Sequence, residues 1–253
     1  MKDSPLVSIA VLNYNGADLL QSCLDSVLNQ TYPRFEVVVV DAGSSDGSLA
    51  LLERRYPQVR IVRHEHTAGY ARAANTAIRS TSADYLVILN NDTRCALDWL
   101  EKLMDVMLTD ERIGSCGAKQ MNFFHPDIID SAGIQLHRGG FPVSRGRGRQ
   151  DSGQFSKIEP ILGAAGASAL YRRAMLEDTG MFDEQFFAYN EEFDLCLRQL
   201  LYGWKCLFVP DAVVYHMSGA TFARNGRRRM PYYMVRNRIL TLSKPLPSAV
   251  ARE

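Results

Sequence analysis

The sequence predicts an α/β fold: a mostly parallel, Rossmann-like central sheet flanked by helices, with a smaller region behind it. Three observations lead there. Apolar, β-branched runs of strand length alternate with segments of helical periodicity through the N-terminal half. Those runs are apolar without alternation, as strands covered on both faces must be. They also end abruptly in short polar side chains, at Asn13, Asp41 and Asn90-Asn91-Asp92, which puts these groups along one edge of the sheet.

The elements follow in order. Leu6 to Leu12 is an apolar strand, and Ala17 to Asn29 carries Leu19, Leu20, Cys23, Leu24, Val27 and Leu28 at helical spacing until Pro33 closes the unit. Phe35 to Val40 is a β-branched strand ending at Asp41. The turn Ala42-Gly43-Ser44-Ser45-Asp46-Gly47 follows it, then a helix from Ser48 to Tyr56. Arg60 to His64 is a short strand, Gly69 to Ser80 a helix, and Tyr85 to Leu89 a fourth strand. This βαβα order requires right-handed crossovers and helices on both faces.

Bulk properties narrow the function. With 253 residues, 46% hydrophobic and 23% charged, the chain can bury a core in one large domain. Lys+Arg of 29 against Asp+Glu of 28 gives a net charge of +1, which argues against a nucleic-acid partner. Five cysteines without a CxxC pair indicate neither a disulfide framework nor a zinc site, so a reducing, cytoplasmic setting is expected. No apolar run is long enough to span a bilayer.

Ligands of open α/β sheets bind beyond the carboxyl ends of the strands, so Asp92 is offered to a metal or a phosphate. The turn Asn13-Tyr14-Asn15-Gly16 lacks the GxGxxG of dinucleotide folds, and no P-loop is present. A bound phosphate would then need a divalent cation, Mg2+ or Mn2+, held by Asp92.

Six segments, taken together and in order, resemble a family 2 glycosyltransferase of the GT-A fold, in particular its rhamnosyltransferase-like branch. They are Val11-Leu12-Asn13-Tyr14-Asn15, Asp41 to Gly47, Gly69-Tyr70-Ala71-Arg72-Ala73-Ala74-Asn75, Asn90-Asn91-Asp92, Gly180-Met181-Phe182-Asp183-Glu184, and Glu191 to Arg198. The likeness implies a single GT-A domain over 1–253, with a nucleotide-sugar part over about 1–120 and an acceptor part over about 121–253. It implies a nucleoside-diphosphate sugar donor, dTDP- or UDP-linked, and a glycan or lipid-linked acceptor in cell wall or polysaccharide biosynthesis. Asn13, Asp41 and Asp46 would hold the base and ribose, Arg72 and Asn75 would lie against the donor, and Asn91 would flank the diphosphate. Asp92 would be the remaining carboxylate of a degenerate DxD metal motif, His216 a second metal ligand, and Glu192 or Glu191 the catalytic base. Ala42, Thr67-Ala68 and Glu192 depart from the residues usual at those motif positions.

The residues also admit plainer readings. Asp92 could cap the helix through Leu97 to Leu108, and Asp41 could simply form its turn. Glu191, Glu192 and Asp194 could be acidic residues favoured at a helix start, and His216 a structural hydrogen-bonding group. Cys196 reads as a packing residue. A catalytically inactive nucleotide-sugar-binding module is one alternative function; a nucleotidyltransferase is another, although no basic Gly-rich segment occurs near the first strand.

The second half reads as the acceptor side. Arg138 to Ser156, with Arg145-Gly146-Arg147-Gly148-Arg149, is Gly/Arg-rich and reads as a mobile loop. Leu162 to Leu170 is rich in small residues, which fits a close backbone approach or a tightly packed strand. Arg224 to Met230 with Arg227-Arg228-Arg229, followed by Tyr232, Tyr233, Met234, Arg236 and Ile239, is basic and aromatic. It fits a peripheral contact with anionic lipid on the inner face of the membrane, closure over the donor diphosphate, or a solvated face.

Overall fold

Every residue of β1 (Val7–Asn13) is buried, and consecutive side chains enter different cores. Val7, Ile9 and Val11 join one apolar cluster, while Ala10 and Leu12 join the other. A strand with period-2 geometry and two apolar faces must lie inside a sheet covered on both sides. The computed structural model, which describes residues 4–219 and 230–244, has that arrangement.

The first half alternates as its sequence predicts: α1 (Leu20–Leu28), β2 (Phe35–Asp41), α2 (Ser48–Arg55), β3 (Arg60–Arg63), α3 (Gly69–Arg79) and β4 (Tyr85–Asn90). β2 and β4 flank β1 in parallel, and their register brings the polar ends level, Asn13 opposite Asp41 and Leu12 opposite Asn90. α1 and α2 pack on one face, with Leu24 and Leu52 without exposure; α3 packs on the other through Ala71, Ala74, Ala77 and Ile78. After the short β5 (Thr93–Cys95), helix α4 (Trp99–Met107) joins the first face through Trp99, Leu100 and Leu103.

The remaining elements are β6 (Ile113–Asn122), β7 (Ile129–Ser131), β8 (Ile134–Leu136), β9 (Pro142–Ser144), β10 (Glu159–Pro160), β11 (Ser168–Arg172), α5 (Arg173–Thr179), α6 (Glu191–Leu201), β12 (Lys205–His216) and α7 (Met230–Ser243). Of these, β6, β7, β10, β11 and β12 extend the sheet, while β8 and β9 form a separate two-stranded one. The main order is β10-β12-β6-β11-β4-β1-β2-β3. β11 enters between β4 and β6 antiparallel to both, so the sheet is mixed beyond β4. β12 pairs in parallel with β6, and its last residues pair antiparallel with β5, His216 opposite Thr93. That pairing carries the end of the last strand to the edge where Asp92 sits.

Residues 138–156 pack more closely than a mobile loop would. β9 pairs with β8, the Ile129 amide donates to the Arg149 carbonyl at 2.8 Å, and Arg145 lies over the rings of Phe155 and Phe208. Arginine allows this because its stem and planar guanidinium stack on aromatics while its N–H groups still reach acceptors. Residues 224–229 of the basic segment lie outside the described residues. Among the described residues no helix is long and apolar enough to cross a membrane, and all five cysteines are free and buried.

Gly163 sets how closely α6 approaches the sheet. A Cβ there would stand 1.8 Å from the Cys196 Sγ and 2.7 Å from its Cβ. Gly163→Ala is therefore expected to lower unfolding stability by about 1–3 kcal/mol, the cost of overpacking, in a denaturant titration. Combining it with Cys196→Ala should recover part of the loss; an unchanged midpoint for the single variant would contradict this packing.

Candidate active site

Three strand ends meet in one buried polar network. Asn13 donates through Nδ2 to Asp41 Oδ2 at 2.8 Å and to Ser44 Oγ at 3.2 Å, and its Oδ1 accepts from Asn91 Nδ2 at 2.6 Å. Asp41, without solvent exposure, also accepts from the amides of Gly43 and Ser44 through Oδ1. Its carboxylate thus forms the turn. Asp46 anchors the next step, accepting from the Ala17 and Ser48 amides and from the Ser48 hydroxyl. Burial opposes its charge, but those hydrogen bonds prevail and hold its carboxyl below the usual range.

Asp92 follows immediately in the turn between β4 and β5. Helix α4 begins at Trp99 with Asp98 in the cap position, so Asp92 is not its cap. Asp92 is 3% exposed, and its Oδ1 is buried without a hydrogen-bond partner. The nearest polar group is His216 Nε2 at 3.2 Å. His216 is fixed from its other side, Nδ1 lying 2.8 Å from Asp130 Oδ2, and Asp130 accepts from Ser218 Oγ at 2.6 Å. A carboxylate behind the imidazole is the arrangement that orients metal-ligating histidines and presents the second ring nitrogen forward. Asp130, on β7, was not singled out in the sequence; only the fold brings it to His216.

Two protein donors, one oxygen and one nitrogen, suit Mg2+ or Mn2+ bound with diphosphate oxygens and water. No group of three or more His, Cys, Asp or Glu side chains that could hold a metal forms among the described residues.

The acidic pair lies at the N-terminus of α6. Burial pushes the Glu191 carboxyl well up, and the adjacent Glu192 charge adds to it; burial also raises Glu192. Two neighbouring buried carboxyls resist ionising together, so the pair as a whole favours holding a proton. Both Oε2 atoms lack partners. Tyr70 ties the groups together: its hydroxyl donates to the Gly166 carbonyl at 2.6 Å, and burial, then Glu191, Glu192 and Asp92, push its pKa well up. The tight approach within the small-residue run is at Gly163, against Cys196; at Gly166 a Cβ would make only ordinary contact, 3.6 Å from Glu192 Cδ.

A strained turn delivers this pair. Phe187, Tyr189 and Asn190 all have positive φ, between 63° and 72°, which non-glycine residues adopt only when their surroundings enforce it. Asn237 of α7, itself fully buried, enforces it by donating through Nδ2 to the carbonyls of Phe186, Ala188 and Tyr189 at 2.6–2.9 Å. Arg72 and Asn75 act from the opposite side. Asn75 clasps Phe182 and Glu184, and Arg72 pairs with Glu184 at 3.0 Å. In this structure both brace the approach to the turn. Asp194 pairs with Arg198 at 2.8 Å and Lys244 at 2.6 Å, and Cys196 packs against Gly163.

Comparison with known proteins agrees with this geometry. The model of Glycosyl transferase family 2 matches residues 8–180, and that of Glycosyl transferase family group 2 matches 145–249. The chain belongs to glycosyltransferase family 2. The N-acetylglucosaminyl-diphospho-decaprenol L-rhamnosyltransferase of Mycobacterium tuberculosis is 26% identical over 250 residues, covering 87% of this chain and 78% of that one. The O-antigen biosynthesis protein RfbC of Myxococcus xanthus is 27% identical over 87% of this chain, which spans only 18% of that protein's length. Among solved structures, the mannosyltransferase PcManGT from Pyrobaculum calidifontis, in complex with GDP-Man and Mn2+, superposes with a TM-score of 0.67. That alignment covers 99% of this chain and 69% of the other at 22% identity, and so shares the GT-A fold.

Burial opposes a charge on His216, but Asp130 and Asp92 on either side prevail and push its pKa to about 9. A histidine raised from about 6.5 stabilises the folded state fully below that value and ceases to do so as pH rises through 9. The metal-free protein should therefore lose up to about 3 kcal/mol between pH 6.5 and 9.5 relative to His216→Gln. Denaturant titrations of both across that range check it; parallel profiles would contradict the pairing.

Proposed function

We propose that this chain is an inverting, metal-assisted glycosyltransferase that moves a sugar from a dTDP- or UDP-linked donor to a hydroxyl of a glycan or lipid-linked acceptor. The observation that carries the reading is the buried Asp92 Oδ1, 3.2 Å from His216 Nε2, with the Glu191-Glu192 pair near enough that it and Asp92 both act on Tyr70. The rhamnosyltransferase relative makes L-rhamnose a candidate donor sugar.

The chain's own groups divide the work. Asn13, Asp46 and Asn91 form the floor against which base and ribose would lie, with Asp41 holding the turn from beneath. This keeps the donor on the part spanning about 1–120 and the acceptor on 121–253. Asp92 and His216 would hold Mg2+ or Mn2+, which supplies neutralisation of the departing diphosphate. Glu192, the less deeply buried of the pair, takes the proton from the acceptor hydroxyl as that oxygen attacks the anomeric carbon. Attack opposite the leaving group inverts the configuration.

Peripheral membrane contact fits this role. Tyr232, Val235, Ile239 and Leu242 stand exposed along α7 at spacings of three, four and three residues, one apolar stripe for a bilayer that carries a lipid-linked acceptor.

Titrating a panel of nucleoside diphosphates and nucleotide-sugars with Mn2+ tests the reading: one donor class should bind and be slowly hydrolysed. Asp92→Ala should abolish metal-dependent binding with an unchanged circular dichroism spectrum. Equal affinity in that variant would remove the metal from this position.

Glu192→Gln should lower kcat by about two to four orders of magnitude with donor affinity kept, whereas Glu191→Gln should cost less. The reverse ranking would assign the base to Glu191. Wild-type turnover in both would leave the pair with a structural role.

A further inference from the structure

A second polar cavity of about 410 Å³ opens beside the Asp130-His216 pair, lined by Gln135, Ser144, Arg145, Arg147, Arg149 and Phe155. Its arginines alternate with Gly146 and Gly148, both at positive φ (77° and 76°). The left-handed glycines curl the segment into turns, and residues 145, 147 and 149 all line the one cavity.

The charges in this cavity are not balanced. Arg145 is fixed by Glu159 Oε1 at 2.8 Å and the Ala132 carbonyl at 2.8 Å, yet its Nη2 is buried without a partner. Arg147 reaches Ser218 Oγ at 3.3 Å and lies 3.7 Å from Asp130, a carboxylate already engaged by His216 and Ser218. Arg149 has no acidic partner within ion-pair distance among the described residues. Arg147 and Arg149 are exposed, so their charge is solvated but uncompensated by protein carboxylates, and with the buried, unpartnered Arg145 Nη2 they leave the cavity with an excess of positive charge that suits an anion. Guanidinium groups also match phosphate oxygens in bidentate geometry.

We infer that this cavity is a phosphate subsite, and that it binds the diphosphate of a diphosphate-linked acceptor while the sugar is transferred beside Asp92. The inference rests on the glycosyltransferase reading and adds the acceptor's chemical class to it. Arg147 touches both the cavity and Asp130, so an anion held there lies next to the group that orients His216.

Calorimetry with inorganic diphosphate and with farnesyl diphosphate, on the full chain in EDTA, tests it. Saturable binding is expected to wild type and to Asp92→Asn, weakened at least tenfold in R147Q/R149Q. Tighter binding of the farnesyl ester names a lipid-linked acceptor; equal binding names free diphosphate as occupant. Should the double variant unfold, protection of Arg147 and Arg149 from phenylglyoxal by diphosphate in the wild type, read by mass spectrometry, gives the same answer. No saturable binding, binding lost in Asp92→Asn but kept in R147Q/R149Q, or no protection would overturn it. Metal-dependent donor binding that survives such a failure would leave the glycosyltransferase reading standing and remove only this subsite.

Discussion

The side-chain amide of Asn13 holds the donor half of this molecule in register. Its two ends face opposite ways, Nδ2 donating to Asp41 and Oδ1 accepting from Asn91, so one planar group ties the ends of three parallel strands together. Each partner is almost fully buried, and a buried amide or carboxylate left without its partner costs about 1–3 kcal/mol or more. The three strand ends are therefore fixed relative to one another. Because Asn91 belongs to that network, the next residue, Asp92, projects from a fixed base with Oδ1 toward His216 Nε2.

What faces Asp92 comes from the other end of the chain. β12 runs twelve residues, long enough to pair with β6 along most of its length and then with β5 at its tip, and that tip is His216. Asp130 secures the imidazole from behind. The acidic pair reaches the same place by a different device, a turn with three non-glycine residues at positive φ, strained in a way that Asn237 offsets with hydrogen bonds to three carbonyls. One half of the site is thus set by strand register and the other by a turn held under strain. Both are rigid before any ligand arrives, as electrostatic stabilisation of a leaving group requires.

The first half of the fold was legible because its physics is local. Strands covered on both faces read as unbroken apolar runs, and the helices between them show their spacing, so the elements from Val7 to Asn90 fall where the sequence puts them. Asn13, Asp41, Asp92 and the Glu191-Glu192 pair were legible for the same reason, as polar residues at element ends. The second half depends on pairings between distant residues. Nothing local in Ser168-Ala169-Leu170-Tyr171-Arg172 says that it runs antiparallel between β4 and β6. Asp130 and Asn237 lack any motif, and their roles exist only once β7 and α7 are docked. The segment holding the arginines at 145, 147 and 149 reads as a mobile loop because composition cannot show that Phe155 and Phe208 lie beneath Arg145.

The central claim is that Asp92 and His216 together form the protein's share of a metal site. Electron spin-echo envelope modulation of the Mn2+-loaded protein with a nucleoside diphosphate tests it most directly, because it reads nitrogen nuclei bonded to the ion. The account predicts 14N modulation from one imidazole in the wild type, absent in His216→Gln while manganese is still held by Asp92 and diphosphate. A spectrum without 14N coupling in the wild type, or coupling that persists in His216→Gln, would contradict it.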